Sequence, residues 1–200
     1  DSKDALDLAT VPGRLVVVGA GAVGLELGTV YAKLGSKVSV LDLSERLLPM
    51  LDPQVARVVE SSLRALGIDL ILGAKLLDVA RDGGGGATVR YATSTGVATI
   101  GADLILVAAG RRPNTAGIGL EAAGVALDQR GFVTVNRQLR TGVQGIFAIG
   151  DIGAGPMLAH RASYQGKIAA EVIAGRPAAY EGVEVPGVIF SDPEVATVGL

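Results

Sequence analysis

Three glycines, Gly19, Gly21 and Gly24, stand in G-x-G-x-x-G spacing within "VVVGAGAVGLELG", after a β-branched run and ahead of apolar residues at helical spacing. A turn of this kind binds phosphate through its backbone. Gly19 permits the tight turn, Gly21 lets a pyrophosphate approach the main chain, and Gly24 lets the helix pack on the strand; the phosphates then meet free N–H groups at the positive end of the helix dipole. Ala20, Ala22, Val23 and Leu25 belong to the same turn and first helical residues, and their backbone joins the candidate site. Asp42 ends the second apolar run, 18 residues after Gly24. A carboxylate there accepts hydrogen bonds from the adenosine ribose hydroxyls and repels a 2′-phosphate, which predicts NAD over NADP. The plainer alternative is that the glycines only turn the chain and Asp42 only caps a strand. Glu26, early in the helix, has a plain reading too, since a carboxylate near a helix start gains about 0.3–1 kcal/mol from the dipole. Arg46, four residues past the strand, reads as a solvated loop residue.

A second turn follows in "IFAIGDIGAGPMLAH", residues 146–160, where an apolar run stops at Gly150-Asp151 and the only histidine, His160, opens a helix. The layout is that of a ligand-binding turn. On its own residues, Asp151 reads as a turn and cap residue, and His160 as an N-terminal helix residue packed on neighbours. The chain has no cysteine, which excludes disulfide staples, thiolate zinc sites and thiol chemistry by its own residues. No metal site is expected.

These turns need elements to hold them. Residues 13–42 read as a βαβ unit, closed by Gly35 and a second apolar run from Val38 to Leu41. Residues 52–67 read as a helix with Asp52 as N-cap, Pro53 at its first position and Gly67 as stop, and "IDLIL" as a third strand. Residues 75–102 alternate in short segments broken by "DGGGG" and "STG", a meander of antiparallel strands, and "LILVAAG" (104–110) is a buried run. A boundary loop, "GRRPNTAGIG", precedes a weak helix at Leu120 to Ala123, a strand at Phe132 to Val135, the second turn with its helix to about Ala174, a Pro- and Gly-rich linker, and a last short run from Val188 to Phe190. The expected class is α/β, Rossmann-like, with a parallel sheet plus an antiparallel meander.

Composition agrees with small-molecule ligands. Of 200 residues 29 are glycine, about twice the usual ~7% share, and the net charge is -2 with no basic run, so neither nucleic acid nor an anionic membrane is an expected partner. No segment of eighteen apolar residues and no cleavable leader occurs, so the chain is expected to be soluble.

Taken together, "VPGRLVVVGAGAVGLELGTVYAKLGSKVSVLD", "LILVAAGRRPNT", "IFAIGDIGAGPMLAHRASYQG" and "FSDPEVATVGL" resemble, in order and over nearly the whole chain, the flavin-dependent pyridine nucleotide–disulfide oxidoreductases of the dihydrolipoyl dehydrogenase type. The last two segments are specific to that family. The resemblance implies that the second turn binds FAD: Asp151 would accept a hydrogen bond from a flavin-chain hydroxyl, and Met157, Leu158, Ala159 and His160 would present backbone N–H groups to the isoalloxazine ring. It implies that Glu26 lies beside the nicotinamide and pairs with a lysine near the reactive disulfide, and that Gly110 allows close approach on the nicotinamide side. Leu76 would line the adenine slot, although plain core would look the same. Ala22 stands where many relatives carry a larger side chain gating the nicotinamide pocket.

By the same resemblance, residues 1–117 form an NAD domain, 118–180 the returning part of an FAD domain, and 181–200 a linker and the start of an interface domain. The parent is expected to be a cytoplasmic homodimer that serves 2-oxoacid dehydrogenase complexes, takes lipoyl domains as substrate and contributes to cell redox homeostasis. The family's first dinucleotide motif, redox cysteines and histidine–glutamate pair are absent from these 200 residues. The chain is therefore expected to be a fragment that neither retains FAD nor turns over lipoamide alone. Its last long helix, with Ile168, Val172 and Ile173, is expected to present a bare apolar face that self-associates, exchanges or repacks on the NAD domain. Mercuric reductase, a soluble transhydrogenase and a stand-alone NAD-binding module are the alternatives.

Overall fold

Alternate side chains of the first strand, Arg14–Val18 (β1), part to opposite faces of one sheet: Leu15 and Val17 enter one core and Val16 another. In the computed structural model, which describes residues 1–182 and 184–199, β1 pairs in parallel with Lys37–Leu41 (β2), and β2 with Asp69–Ile71 (β3). Leu104–Val107 (β7) returns to the other side of β1, so the sheet order is β3-β2-β1-β7. Between β3 and β7 run Lys75–Arg81 (β4), Ala87–Thr93 (β5) and Gly96–Ala102 (β6), the expected antiparallel meander. One face of the parallel sheet meets this meander through Val16, Leu41, Val89 and Ala102.

Helices cover the other face. A single turn and a half, Ser2–Leu6 (α1), precedes β1; Ala22–Lys33 (α2) joins β1 to β2, and Pro53–Ala65 (α3) joins β2 to β3. Leu25 and Tyr31 of α2 and Val59 and Leu63 of α3 pack with Leu15, Val17, Val38 and Val40. At the start of β1 the Arg14 guanidinium, hydrogen-bonded to Asp103, holds that carboxyl below its ordinary value. The start of α3 is as its residues dictate: Asp52 Oδ1 accepts from Gln54 N at 2.7 Å, Pro53 fills the first position, and Gly67, at φ 83°, ends the helix. Asp52→Ala should cost about 1 kcal/mol in urea unfolding, with Asp52→Asn recovering most of it. Equal stability of the two variants would count against the cap.

The chain divides into two compact units, the first formed by Asp1–Gly110 with Gly187–Thr197, the second by Arg111–Pro186 and the residues after Thr197. In the first unit Gly187–Ile189 (β8) pairs with Val195–Thr197 (β9), a strand with no clear signal in sequence. In the second, Ala159–Ile173 (α4) is the long helix expected there.

Three expectations for the second unit are corrected. Leu120 to Ala123 is not a helix but a hydrogen-bonded turn, bracketed by Gly117, Gly119 and Gly124 at positive φ. So short a segment cannot meet the cost of nucleating a helix. Phe132 to Val135 is not a strand. Its backbone bonds run to separate loops, Val133 N to Ile152 O and Thr134 N to Ala126 O, leaving only single bridges from Val133 to Leu127 and Gly153. The apolar face of α4 is not bare, because Ile168 and Val172 are buried with Leu139, Ala169 and Phe147 inside their own unit; of the three residues expected to form it, Ile173 alone is exposed.

Candidate functional sites in two turns

The first turn is shaped by backbone proximity. Gly19 sits at φ 109°, and a Cβ there would lie 2.6 Å from the carbonyl oxygen of Ala108, the residue just after β7. A Cβ on Gly24 would overlap the Gly19 carbonyl oxygen outright. Gly21 differs: it is the N-cap of α2 in extended conformation, and a Cβ there would meet nothing within 4 Å. Two glycines are thus required by the protein itself and the third faces open space. No side chain caps α2, so the N–H groups of its first turn are left for another acceptor.

Asp42 is wired into this turn. Its Oδ2 accepts from Ala20 N at 2.6 Å and its Oδ1 from Ser44 N at 2.7 Å, so the carboxylate ties the glycine loop to the segment after β2. Each oxygen keeps a lone pair, and a partly exposed carboxylate in this position can still accept from a hydroxyl. Ser44 and Ala108 shape the turn without having stood out in sequence, since their part is played by backbone atoms.

The other candidates of the first unit fall into two groups. Ala20 and Leu25 are buried in the core, so only their backbone could serve a ligand; Leu76 packs beside Val89 and Ala102. Ala22 and Val23 are half-exposed at the helix start, and Gly110 is exposed at φ 130° with open space around it. Glu26 Oε1 accepts from Phe190 N at 2.9 Å, which joins the loop after β8 to α2. Lys33 Nζ and Asp192 form a 2.6 Å ion pair along the same contact.

The second turn is built on a tight start and a long helix. Gly150, at φ 68°, donates to Gln165 Oε1 at 2.8 Å, and a Cβ there would lie 2.9 Å from that of Ala162. Residues Gly150–Ile152 make one 3₁₀ turn that leaves Asp151 exposed, its Oδ2 4.0 Å from Arg111 Nη1. Met157 and Leu158 are half-buried; Ala159 and His160 are exposed at the start of α4, which again has no side-chain cap. His160 Nε2 donates to the Pro186 carbonyl at 2.8 Å, so its side chain is engaged and its backbone is what the helix start offers. Among the described residues no group of acidic residues and histidine has the arrangement of a metal site, and no helix is long and apolar enough to cross a membrane.

Residues 1–166 match the family described as pyridine nucleotide-disulphide oxidoreductase. The chain is 47% identical over 199 residues to a dihydrolipoyl dehydrogenase of Geobacillus stearothermophilus and 43% identical over 201 residues to one of Halobacterium salinarum. All of this chain is covered in each case, and 42% of the relative, so it spans under half the length of the curated proteins it matches. Among solved structures it is similar to the HOCl-induced flavoprotein disulfide reductase RclA of Escherichia coli, with a TM-score of 0.88 and 29% identity over 98% of this chain and 44% of that one. LpdA of Mycobacterium tuberculosis matches with a TM-score of 0.85 and 35% identity over 97% of this chain and 42% of that one.

Proposed function

Because the chain belongs to the pyridine nucleotide-disulphide oxidoreductase family, we propose that its first unit holds NAD across the turn from Gly19 to Gly24, and that it serves a flavin-dependent dihydrolipoyl dehydrogenase. The observation that supports this most directly is Gly21, open on the outside of a turn whose other two glycines are closed by backbone. The N–H groups of Ala22, Val23 and Gly24 would bind the pyrophosphate at the positive end of α2. Asp42 would take a ribose hydroxyl while keeping its bonds to Ala20 and Ser44, and Leu76 would border the adenine. Glu26 and Gly110 would flank the nicotinamide.

In the second unit, Asp151 would hold a hydroxyl of the flavin chain. The backbone of Met157, Leu158, Ala159 and His160 would face the ring, where the uncapped start of α4 favours negative charge. FAD, when bound, supplies the carrier between dithiol and nicotinamide. On this reading residues 1–117 are the NAD domain, 118–180 part of the flavin domain, and 181–200 a linker and the start of an interface domain; Val183 and Leu200 lie outside the described residues. The chain has no thiol of its own. Exchange with dihydrolipoamide, dimer formation, cytoplasmic location and service to 2-oxoacid dehydrogenase complexes are accordingly assigned to the longer protein, and the 200 residues alone are read as inactive toward lipoamide.

The test is cofactor choice. NADH should bind more tightly than NADPH, and Asp42→Ala should lose at least about tenfold in NADH affinity, the worth of one hydrogen bond to a charged acceptor at roughly 1.5–3 kcal/mol. Titration by fluorescence of the reduced cofactor reads both. Equal affinity for the two nucleotides would remove the NAD assignment.

A further inference from the structure

Arg161 is 4% exposed, and among the described residues no carboxylate lies within ion-pair distance of it. It is also the third residue of α4, where a cation opposes the helix dipole. Helix stability does not explain an arginine here. Its contacts do. Nη1 donates to the Pro156 carbonyl at 2.9 Å and Nη2 to that of Ala154, so the guanidinium clamps both ends of the Ala154–Gly155–Pro156 loop. Gly155, at φ 118°, lies on the guanidinium itself: a Cβ there would stand 2.7 Å from Nη2 and 2.9 Å from Cζ. The Tyr180 ring centroid is 6.0 Å from Cζ, and Nε, fully shielded, meets no acceptor. Burying a guanidinium with one N–H unmet is costly, and both hydrogen bonds that this one keeps go to a single loop.

We propose that Arg161 is a positioning residue for the flavin-facing turn, its clamp on Ala154 and Pro156 fixing the direction in which the backbone N–H groups from Met157 to His160 point. The proposal rests on the flavin reading of this turn. A fork-shaped donor suits the task, because two carbonyls flanking one residue must be held at once. Gly155 completes the arrangement by letting the backbone lie against the planar group.

Two measurements on the 200-residue chain test it: residue-resolved amide hydrogen exchange, and an NMR titration with FAD that follows the amides of Asp151 and of Met157 to His160. In Arg161→Met, the amides of Leu158 and Ala162, which donate to the Pro156 and Leu158 carbonyls, should exchange about tenfold faster, while those of Ile168 and Val172 in the same helix stay as they were. The response of Asp151 and of Met157 to His160 to FAD should weaken about fivefold or more, with partial recovery in Arg161→Lys. Gly155→Ala, which forces the loop off the guanidinium without touching the arginine, should reproduce the effect and stands in if Arg161→Met does not fold. Wild-type exchange and FAD response in these variants would overturn the proposal, as would faster exchange along the whole of α4 without rescue by lysine. The titration reads the weak contact that a chain unable to retain FAD through purification can still make; absence of any such response in the wild-type chain would remove the flavin reading, and the positioning role with it.

Discussion

Gly24→Ala should destabilise the first unit by about 1–2 kcal/mol, and Gly28→Ala, four residues along the same helix, should not destabilise it at all. The substitution is the same and so is the gain in intrinsic helix propensity, about 1 kcal/mol when alanine replaces an interior glycine. The surroundings differ. At Gly28 the new methyl would meet Val38 Cγ1 at 3.6 Å and Val17 Cγ2 at 3.8 Å, ordinary contacts that add packing. At Gly24 it would overlap the Gly19 carbonyl oxygen and approach Val17 Cγ1 to 3.2 Å. A carbonyl in a turn closed on both sides cannot rotate away, since Gly19 N already donates to Leu41 O at 2.8 Å and Ala20 N to Asp42. Overpacking of about 1–3 kcal/mol or more then outweighs the propensity gain. In thermal unfolding the difference should appear as a fall of roughly 5–10 °C for Gly24→Ala against no fall for Gly28→Ala. Similar midpoints for the two would show that strand and helix are not pinned together at this turn.

How much of this could be read without coordinates varies along the chain, for physical reasons. β1, α2 and β2 were legible because each carries its own signal: a β-branched run, a glycine turn, apolar residues at helical spacing, and a stop at Gly35. The start of α3 was legible for the same reason, with Asp52 and Pro53 adjacent. In the second unit the local signal and the observed structure diverge. Phe132 to Val135 alternates as a strand would, but pairing is a property of neighbours, and its backbone partners lie in separate loops. The four residues from Leu120 to Ala123 look helical only if the glycines on either side are ignored. Val195–Thr197 has no pattern of its own and becomes a strand because β8 is beside it.

The candidate sites divide in the same way. The glycine spacing and Asp42 were evident as types at intervals, whereas the division of labour among the three glycines depends on which backbone atoms come close, and that is a matter of tertiary distance. Ser44, Ala108 and Phe190 act through main-chain atoms, so their side chains gave no sign. Arg161 was hidden by its type: an arginine near the start of an amphipathic helix looks solvated until its two carbonyl partners and its burial are known.

Gly21→Val should leave the fold intact and lower NADH affinity by about a hundredfold. At φ -79° and ψ -179° the residue is in extended backbone that valine adopts readily, and no atom stands within 4 Å of the position its Cβ would take. A poorer N-cap costs up to about 1 kcal/mol, and the reduced freedom of the unfolded chain returns about 0.4–1 kcal/mol. Thermal unfolding should shift by only a few degrees, about the size those two effects leave. For a ligand the balance is different. The space outside Gly21 is where phosphate oxygens would come to meet the N–H groups of Ala22, Val23 and Gly24, and a branched side chain fills it. Two charge-assisted hydrogen bonds lost at about 1.5 kcal/mol or more each amount to about a hundredfold in affinity. Gly21→Ala, with one carbon instead of three, should fall between wild type and valine. Asp42→Ala acts at the ribose end and should lose less than valine at Gly21, while also weakening the discrimination against NADPH. Folded Gly21→Val protein that bound NADH within about twofold of wild type would mean that the dinucleotide does not cross this turn. Gly19 and Gly24 would then be there for the strand and helix alone, and Asp42 for its bonds to Ala20 and Ser44.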